Sequence, residues 1–187
     1  PLPSWRVVSL AEGRCARCRR RATSMTKTRA AGAYEGTLRT LLHALKYERR
    51  RSLAPTLSRL MQQHGRDVLD GADIVVPVPL HRRRLRARGF NQAEELAVHL
   101  GVVMTPALRR VRATPSQTDL PAARRHANVR NAFALRRDVD VRGLRIVLVD
   151  DVSTTGATLE ACARTLRDAG AVEVRGLTAA RALVAPQ

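Results

Sequence analysis

The chain has 187 residues, enough for one domain with a small appendage. Hydrophobic residues make up 44% of it but aromatics only 3%, so leucine, valine and alanine must fill the core, and a base-stacking platform of the single-strand-binding kind is not expected. The formal net charge of +18 comes almost wholly from arginine, which suits polyanionic partners and equally fits an arginine-rich codon usage, and no apolar run approaches the roughly 20 residues that cross a bilayer.

Residues 1–31 read as an irregular, basic N-terminal arm. Cys15 and Cys18 form one C-x-x-C, half of a zinc knuckle. Tetrahedral zinc needs four ligands, and no second Cys/His pair lies nearby. Either further ligands precede residue 1 and Zn²⁺ binds, or the two thiols stay free. Arg19, Arg20 and Arg21 are a solvated basic run. No signal peptide is visible, and Pro1 is not an initiator methionine, so the chain reads as a piece of a longer one. Three cysteines without an export signal point to a reducing cytoplasm.

Residues 34–62 read as two short helices. Leu38, Leu41, Leu42 and Leu45 mark one apolar face; Leu53, Leu57, Leu60 and Met61 mark the other. The polar turn between them holds Lys46 and Tyr47. Residues 73–78 (DIVVPV) form a β-branched run that Pro77 and Pro79 stop. A cationic loop follows, with His81, Arg82, Arg83, Arg84, Arg86 and Arg88 ahead of Gly89. Ala93, Leu96, Ala97 and Leu100 predict a helix, and residues 102–105 a short strand. Residues 109–131 carry much charge and no core periodicity, the mark of a mobile functional loop or a connector.

The most informative stretch is residues 144–168, LRIVLVDDVSTTGATLEACARTLRD. Residues 146–149 suit a strand buried on both faces of a parallel sheet, closed by Asp150 and Asp151. A polar turn of Ser153, Thr154, Thr155 and Gly156 follows. Leu159, Cys162, Ala163 and Leu166 then line one side of a helix, with Gly170 as its stop, and residues 172–178 read as a last strand. A helix N-terminus has unpaired amides and partial positive charge, so residues 153–158, including Ala157 and Thr158, can receive a phosphate. Two carboxylates belong one step away, on sugar hydroxyls or a hydrated divalent cation. A ribose 5-phosphate fits both requirements. The ATP-binding motif is excluded, because both lysines, Lys27 and Lys46, lie far upstream. A dinucleotide fingerprint is excluded because Gly156 stands alone. A phospho-receiver domain is excluded because it needs a lysine downstream of the acidic pair and this chain has none there.

VLVDDVSTTGAT resembles the phosphoribosyl-pyrophosphate (PRPP) motif of type I phosphoribosyltransferases. The wider set of stretches resembles the ComF family of competence-associated phosphoribosyltransferase-like proteins: YEGTLRTLLHALKYERRRSLAPTL, DIVVPVPLHRRRLRARGFNQAEELA, TPSQ, RRHANVRNAF and the PRPP motif itself. The resemblance implies an α/β fold with a central, mostly parallel sheet flanked by helices. It implies a helical hood, a phosphoribosyltransferase-like domain over residues 32–187 and a zinc-knuckle-like arm over residues 1–31. It also implies PRPP as ligand, Asp150 and Asp151 as catalytic carboxylates facing Mg²⁺ through water, and residues 153–158 as the 5-phosphate site. His81, Arg82, Arg83, Arg84 and Arg88 would meet the pyrophosphate, and the loop over residues 109–131 would close on the site. The acceptor is unknown. A role in DNA uptake is implied, and the alternative is a non-catalytic module that binds single-stranded DNA or competence proteins.

Overall fold

The computed structural model describes residues 23–112 and 131–182. Its centre is a four-stranded, all-parallel sheet in the order β1-β6-β5-β2. These strands are β1 (Lys27–Ala33), β2 (Ile74–Pro77), β5 (Arg145–Ser153) and β6 (Glu173–Arg181). Beyond β2, the expected strand at residues 102–105 is reduced to one bridge, Val75 to Met104. Pro106 follows at once and cannot donate to a ladder.

Alternation along β5 sorts the core. Ile146 and Leu148 face one layer; Val147 and Val149 face the other. The first layer holds helix α5 (Ala157–Asp168) and an antiparallel ribbon of β3 (Leu108–Arg110) and β4 (Phe133–Leu135). The second holds α1 (Gly36–Tyr47), α2 (Ala54–Leu69) and α4 (Gln92–Ala97), packed through Leu42, Leu45, Leu57, Met61, Leu96 and Leu177. With both faces covered, β2 and the buried part of β5 are near-continuous in valine, isoleucine and leucine.

Three elements differ from the expectation. β1 starts at Lys27 and pairs with β6, so the sheet begins inside the expected arm. Its sequence KTRAAGA has no β-branched alternation to announce an edge strand. β5 runs four residues past Val149, because β6 lies alongside as far as Ser153 opposite Arg181. Asp150 and Asp151 therefore sit inside the strand rather than ending it. The cationic loop is itself a helix, α3 (Arg82–Arg88). His81 caps it by accepting the Arg83 amide at 3.3 Å, and Gly89 ends it in the left-handed region at φ 82°. Cys15 and Cys18 lie outside the described residues, as does most of the expected loop. Of its described residues, Arg109 and Arg110 belong to strand β3.

Candidate active site

β2 and β5 are neighbours whose chains leave in opposite directions. After β2 the chain passes through α3 and then α4, which packs on the second layer, and returns outside β2 at Met104. After β5 it passes through α5 on the first layer and returns on the far side as β6. The carboxyl ends of β2 and β5 thus flank a topological switch point, where open α/β sheets form a ligand crevice. One lip is the end of β5 from Asp150 with the turn that follows it to Gly156. The other is α3.

The two acids point to opposite layers. Asp151 pairs with Lys46 of α1, with Oδ2 3.0 Å from Nζ and both side chains about one-seventh exposed (13% and 14%). Asp150 lies on the α5 side, where its charge bears on Cys162 and Arg110. Its Oδ1 accepts the Asp151 amide at 2.9 Å. Burial, and then the Asp151 charge, push the Asp150 carboxyl up to about 7, against the pull of Lys46, that amide and Arg110. Burial works against the Lys46 ammonium, but Asp151 outweighs it, with help from Asp150 and Tyr34, and the pKa rises. Burial and the nearby Arg84 charge lower that of Arg110, whose guanidinium lies 5.4 Å from the Phe133 ring centre.

Beyond the acids the chain turns sharply. Gly156 enters α5 at φ 77°, a left-handed value that disfavours any side chain. Thr155 Oγ1 accepts the Ala157 amide at 3.4 Å, standing in for a cap at the N-terminus. Ser153, Thr154, Thr155 and Thr158 are all partly exposed, and Ala157 is buried. The helix start therefore offers amides and hydroxyls at the crevice mouth.

α3 sorts its arginines by helical position. Arg84 and Arg88, one turn apart, are half-buried, whereas Arg82, Arg83 and Arg86 are exposed. Arg88 lies over the Tyr47 ring at 5.3 Å, and Arg49 Nη2 donates to Ala87 O at 3.2 Å. Asn91 anchors the far end: it caps α4 through the Ala93 amide at 3.2 Å and donates to Val78 O at 3.1 Å. Gly89 faces open space, so it serves the helix end rather than a close approach.

The structure thus brings Asp150, Asp151 and residues 153–158 to the carboxyl end of β5, beside β2 and the α3 that follows it; Arg84 and Asp150 both act on the Arg110 charge, and Arg88 lies against Tyr47. His81, Arg82 and Arg83 lie on the same short helix, His81 engaged as a cap and the two arginines turned outward. Sequence reasoning put Lys46 in a polar turn after the first helix and gave neither it nor Arg110 a role beside the acids, whereas α1 in fact runs through Lys46 to Tyr47. Lys46 had a signal: it falls four residues after Leu42, on the face that packs against the sheet. Arg110 had none, because its position depends on the pairing of β3 with β4.

Residues 43–183 match the phosphoribosyl transferase domain family. Competence protein F of Haemophilus influenzae is 33% identical over 181 residues, covering 90% of this chain and 78% of its own length. The DNA utilization protein YhgH of Salmonella typhimurium is 37% identical over 171 residues, covering 86% of this chain and 74% of its own. The chain belongs to the ComF family of phosphoribosyltransferase-like proteins. Among solved structures, an allosteric regulatory enzyme of purine biosynthesis overlays with a TM-score of 0.45 and 27% identity, covering 69% of this chain and 26% of that one. The ComF assignment agrees with the resemblance carried by the PRPP motif and by PVPLHRRRLRARGFNQ, and the parallel sheet between helices is the fold it implied. Among the described residues no helix is long and apolar enough to cross a membrane.

Proposed function

We propose that this ComF-family chain binds PRPP at the β2–β5 crevice and transfers its phosphoribosyl group to an acceptor, releasing pyrophosphate. One observation carries the reading: an acidic pair and an amide-lined helix start meet at the carboxyl end of β5, and the Arg110 charge there feels both Asp150 and Arg84 of α3. The α5 start, with Ser153, Thr154, Thr155 and Thr158, takes the 5-phosphate. Asp151 and Asp150 accept from the ribose hydroxyls and favour the positive charge that grows at C1. Arg84 and Arg88, with Arg110 behind them, receive the pyrophosphate as the C1–O bond breaks. A bond from C1 to the acceptor nucleophile replaces it.

A divalent cation is tested by the donors available. Among the described residues no group of three or more His, Cys, Asp or Glu side chains converges. Asp150 and Asp151 face different layers and cannot chelate one ion together. Mg²⁺ therefore fits as an ion held by the diphosphate itself, with Asp150 or Asp151 reached through water. Bound there, it would neutralise the leaving group.

The names of the relatives, a competence protein and a DNA utilization protein, support a setting in DNA uptake or DNA use. A second reading has its own observation: Arg82, Arg83 and Arg86 point away from the crevice and suit an external polyanion. In that reading the chain binds single-stranded DNA or a competence partner without chemistry. Calorimetric titration with PRPP and Mg²⁺ tests the first reading. Wild type is expected to bind in the micromolar range, and Asp150→Asn/Asp151→Asn at least tenfold more weakly. No heat from wild type would end the proposal. A screen of acceptors for released pyrophosphate then separates catalysis from sensing.

A further inference from the structure

Lys46 is the residue the crevice uses and the PRPP motif does not contain. α1 buries Leu42, Ala44 and Leu45, and Lys46 follows Leu42 by one turn. Its stem therefore lies along the packed face while its ammonium emerges at the carboxyl end of β5. There it meets Asp151 at 3.0 Å in a largely enclosed setting. The other lysine pair, Lys27 with Asp67, is about three times as exposed, at 40% and 38%. An enclosed ion pair must overcome the desolvation of both charges, so it adds little net stability. What it does supply is orientation.

The alternation of β5 gives that orientation a purpose. Asp150 is fixed through its own contact with the Asp151 amide. Asp151 lacks such a backbone tie among the described residues and has Lys46 instead. The same helix end is secured on the opposite lip, through Tyr47 beneath Arg88 and Arg49 to Ala87. The C-terminal turn of α1 thus bridges the two lips and sets where Lys46 ends.

We propose that Lys46 is the positioning residue of Asp151, holding its carboxylate on the α1 side of the crevice so that the two acids accept from different sugar hydroxyls. This rests on the PRPP reading above. Lys46 acts here through Asp151 and not by itself, which a double-mutant cycle separates from direct contact with the ligand.

The experiment measures PRPP affinity by calorimetry, with thermal melting alongside, for wild type, Lys46→Met, Lys46→Arg, Asp151→Asn and Lys46→Met/Asp151→Asn. Lys46→Met is expected to weaken PRPP binding about tenfold in the wild-type background. In the Asp151→Asn background the same change is expected to cost less than about twofold. Lys46→Arg keeps the charge with a different shape and should fall between wild type and Lys46→Met. If Lys46→Met does not fold, Lys46→Arg is carried through the same cycle, and its loss should likewise vanish beside Asp151→Asn. Equal losses in both backgrounds, or affinity unchanged in wild type, overturn the assignment. Wild type failing to bind PRPP would instead defeat the PRPP reading on which it stands.

Discussion

Asp150 and Asp151 are adjacent in sequence, yet they belong to different layers and different charges. The sequence announces the pair, because two acids after a buried strand have no packing use. It does not announce their division, which needs the partners Lys46 and Arg110 in space. The raised Asp150 pKa has a stability consequence. An ordinary aspartate titrates near 3.8 and this one near 7, so the folded state holds its proton more tightly. Stability from this group is fully present below pH 4 and is lost as the pH rises through 7. Asp150→Asn cannot ionise and escapes that loss, so it should melt above wild type at pH 8, by on the order of 1 kcal/mol or more, and near wild type at pH 4. A gain that is the same at both pH values would remove burial of the charge as its cause. PRPP affinity should fall at least tenfold in the same variant, the usual conflict between a stable site and a working one. Gly156 makes a separate case. A Cβ there would meet nothing closer than Ser153 Oγ at 4.0 Å, so only the left-handed backbone resists substitution. Gly156→Ala should cost about 1–2 kcal/mol in denaturant unfolding and should also weaken phosphate binding.

Elements were legible where periodicity was strong and illegible where pairing decided. The apolar positions of α1, α2 and α5 mark their buried faces, and IVLV marks the heart of β5. β1 is different: its seven residues KTRAAGA form a strand because β6 offers an open edge, which no local pattern reveals. α3 was missed for a related reason. A run of arginines has no apolar face, but its ends are fixed by His81, Gly89 and Asn91. Asn91 is the firmest of these, nearly buried and joined to both α4 and Val78 at the end of β2. Asn91→Ala leaves the Ala93 amide and Val78 carbonyl without that partner, and should cost about 1–3 kcal/mol. Because α3 ends only three residues before Asn91, PRPP affinity should fall as well. A loss of stability alone would show that α3 holds its place without it. The sheet's second layer has its own test at Gly65 of α2. A methyl there would come within 2.6 Å of Leu177 Cδ1 in the middle of β6. Gly65→Ala should therefore destabilise by about 1–3 kcal/mol.

At the scale of the whole molecule, a net charge of +18 has two components. Several arginines are neutralised locally: Arg29 by Asp67, Arg51 by Glu95, Arg142 by Asp140, Arg145 by Asp73 and Arg175 by Glu173. Those pairs cover the outside of the fold and say nothing of a ligand. α3 is of another kind, RRRLRAR with no acid in it. Arg84 and Arg88 are half-buried and Arg82, Arg83 and Arg86 exposed, so the two proposed readings of function fall on different faces of one helix. That separation makes them testable in a single variant. Replacing Arg82, Arg83 and Arg86 together by serine spares Arg84 and Arg88. If an external polyanion follows the outer face, affinity for a single-stranded oligonucleotide should decline steeply with salt in wild type. Each phosphate contact contributes about 0.7 to the logarithmic slope, so the triple variant should flatten it by about 2. PRPP affinity should change by less than about threefold, since none of the three faces the crevice. A slope unaltered by the triple change would place any nucleic-acid contact elsewhere and leave the crevice as the only part of α3 with a ligand to explain.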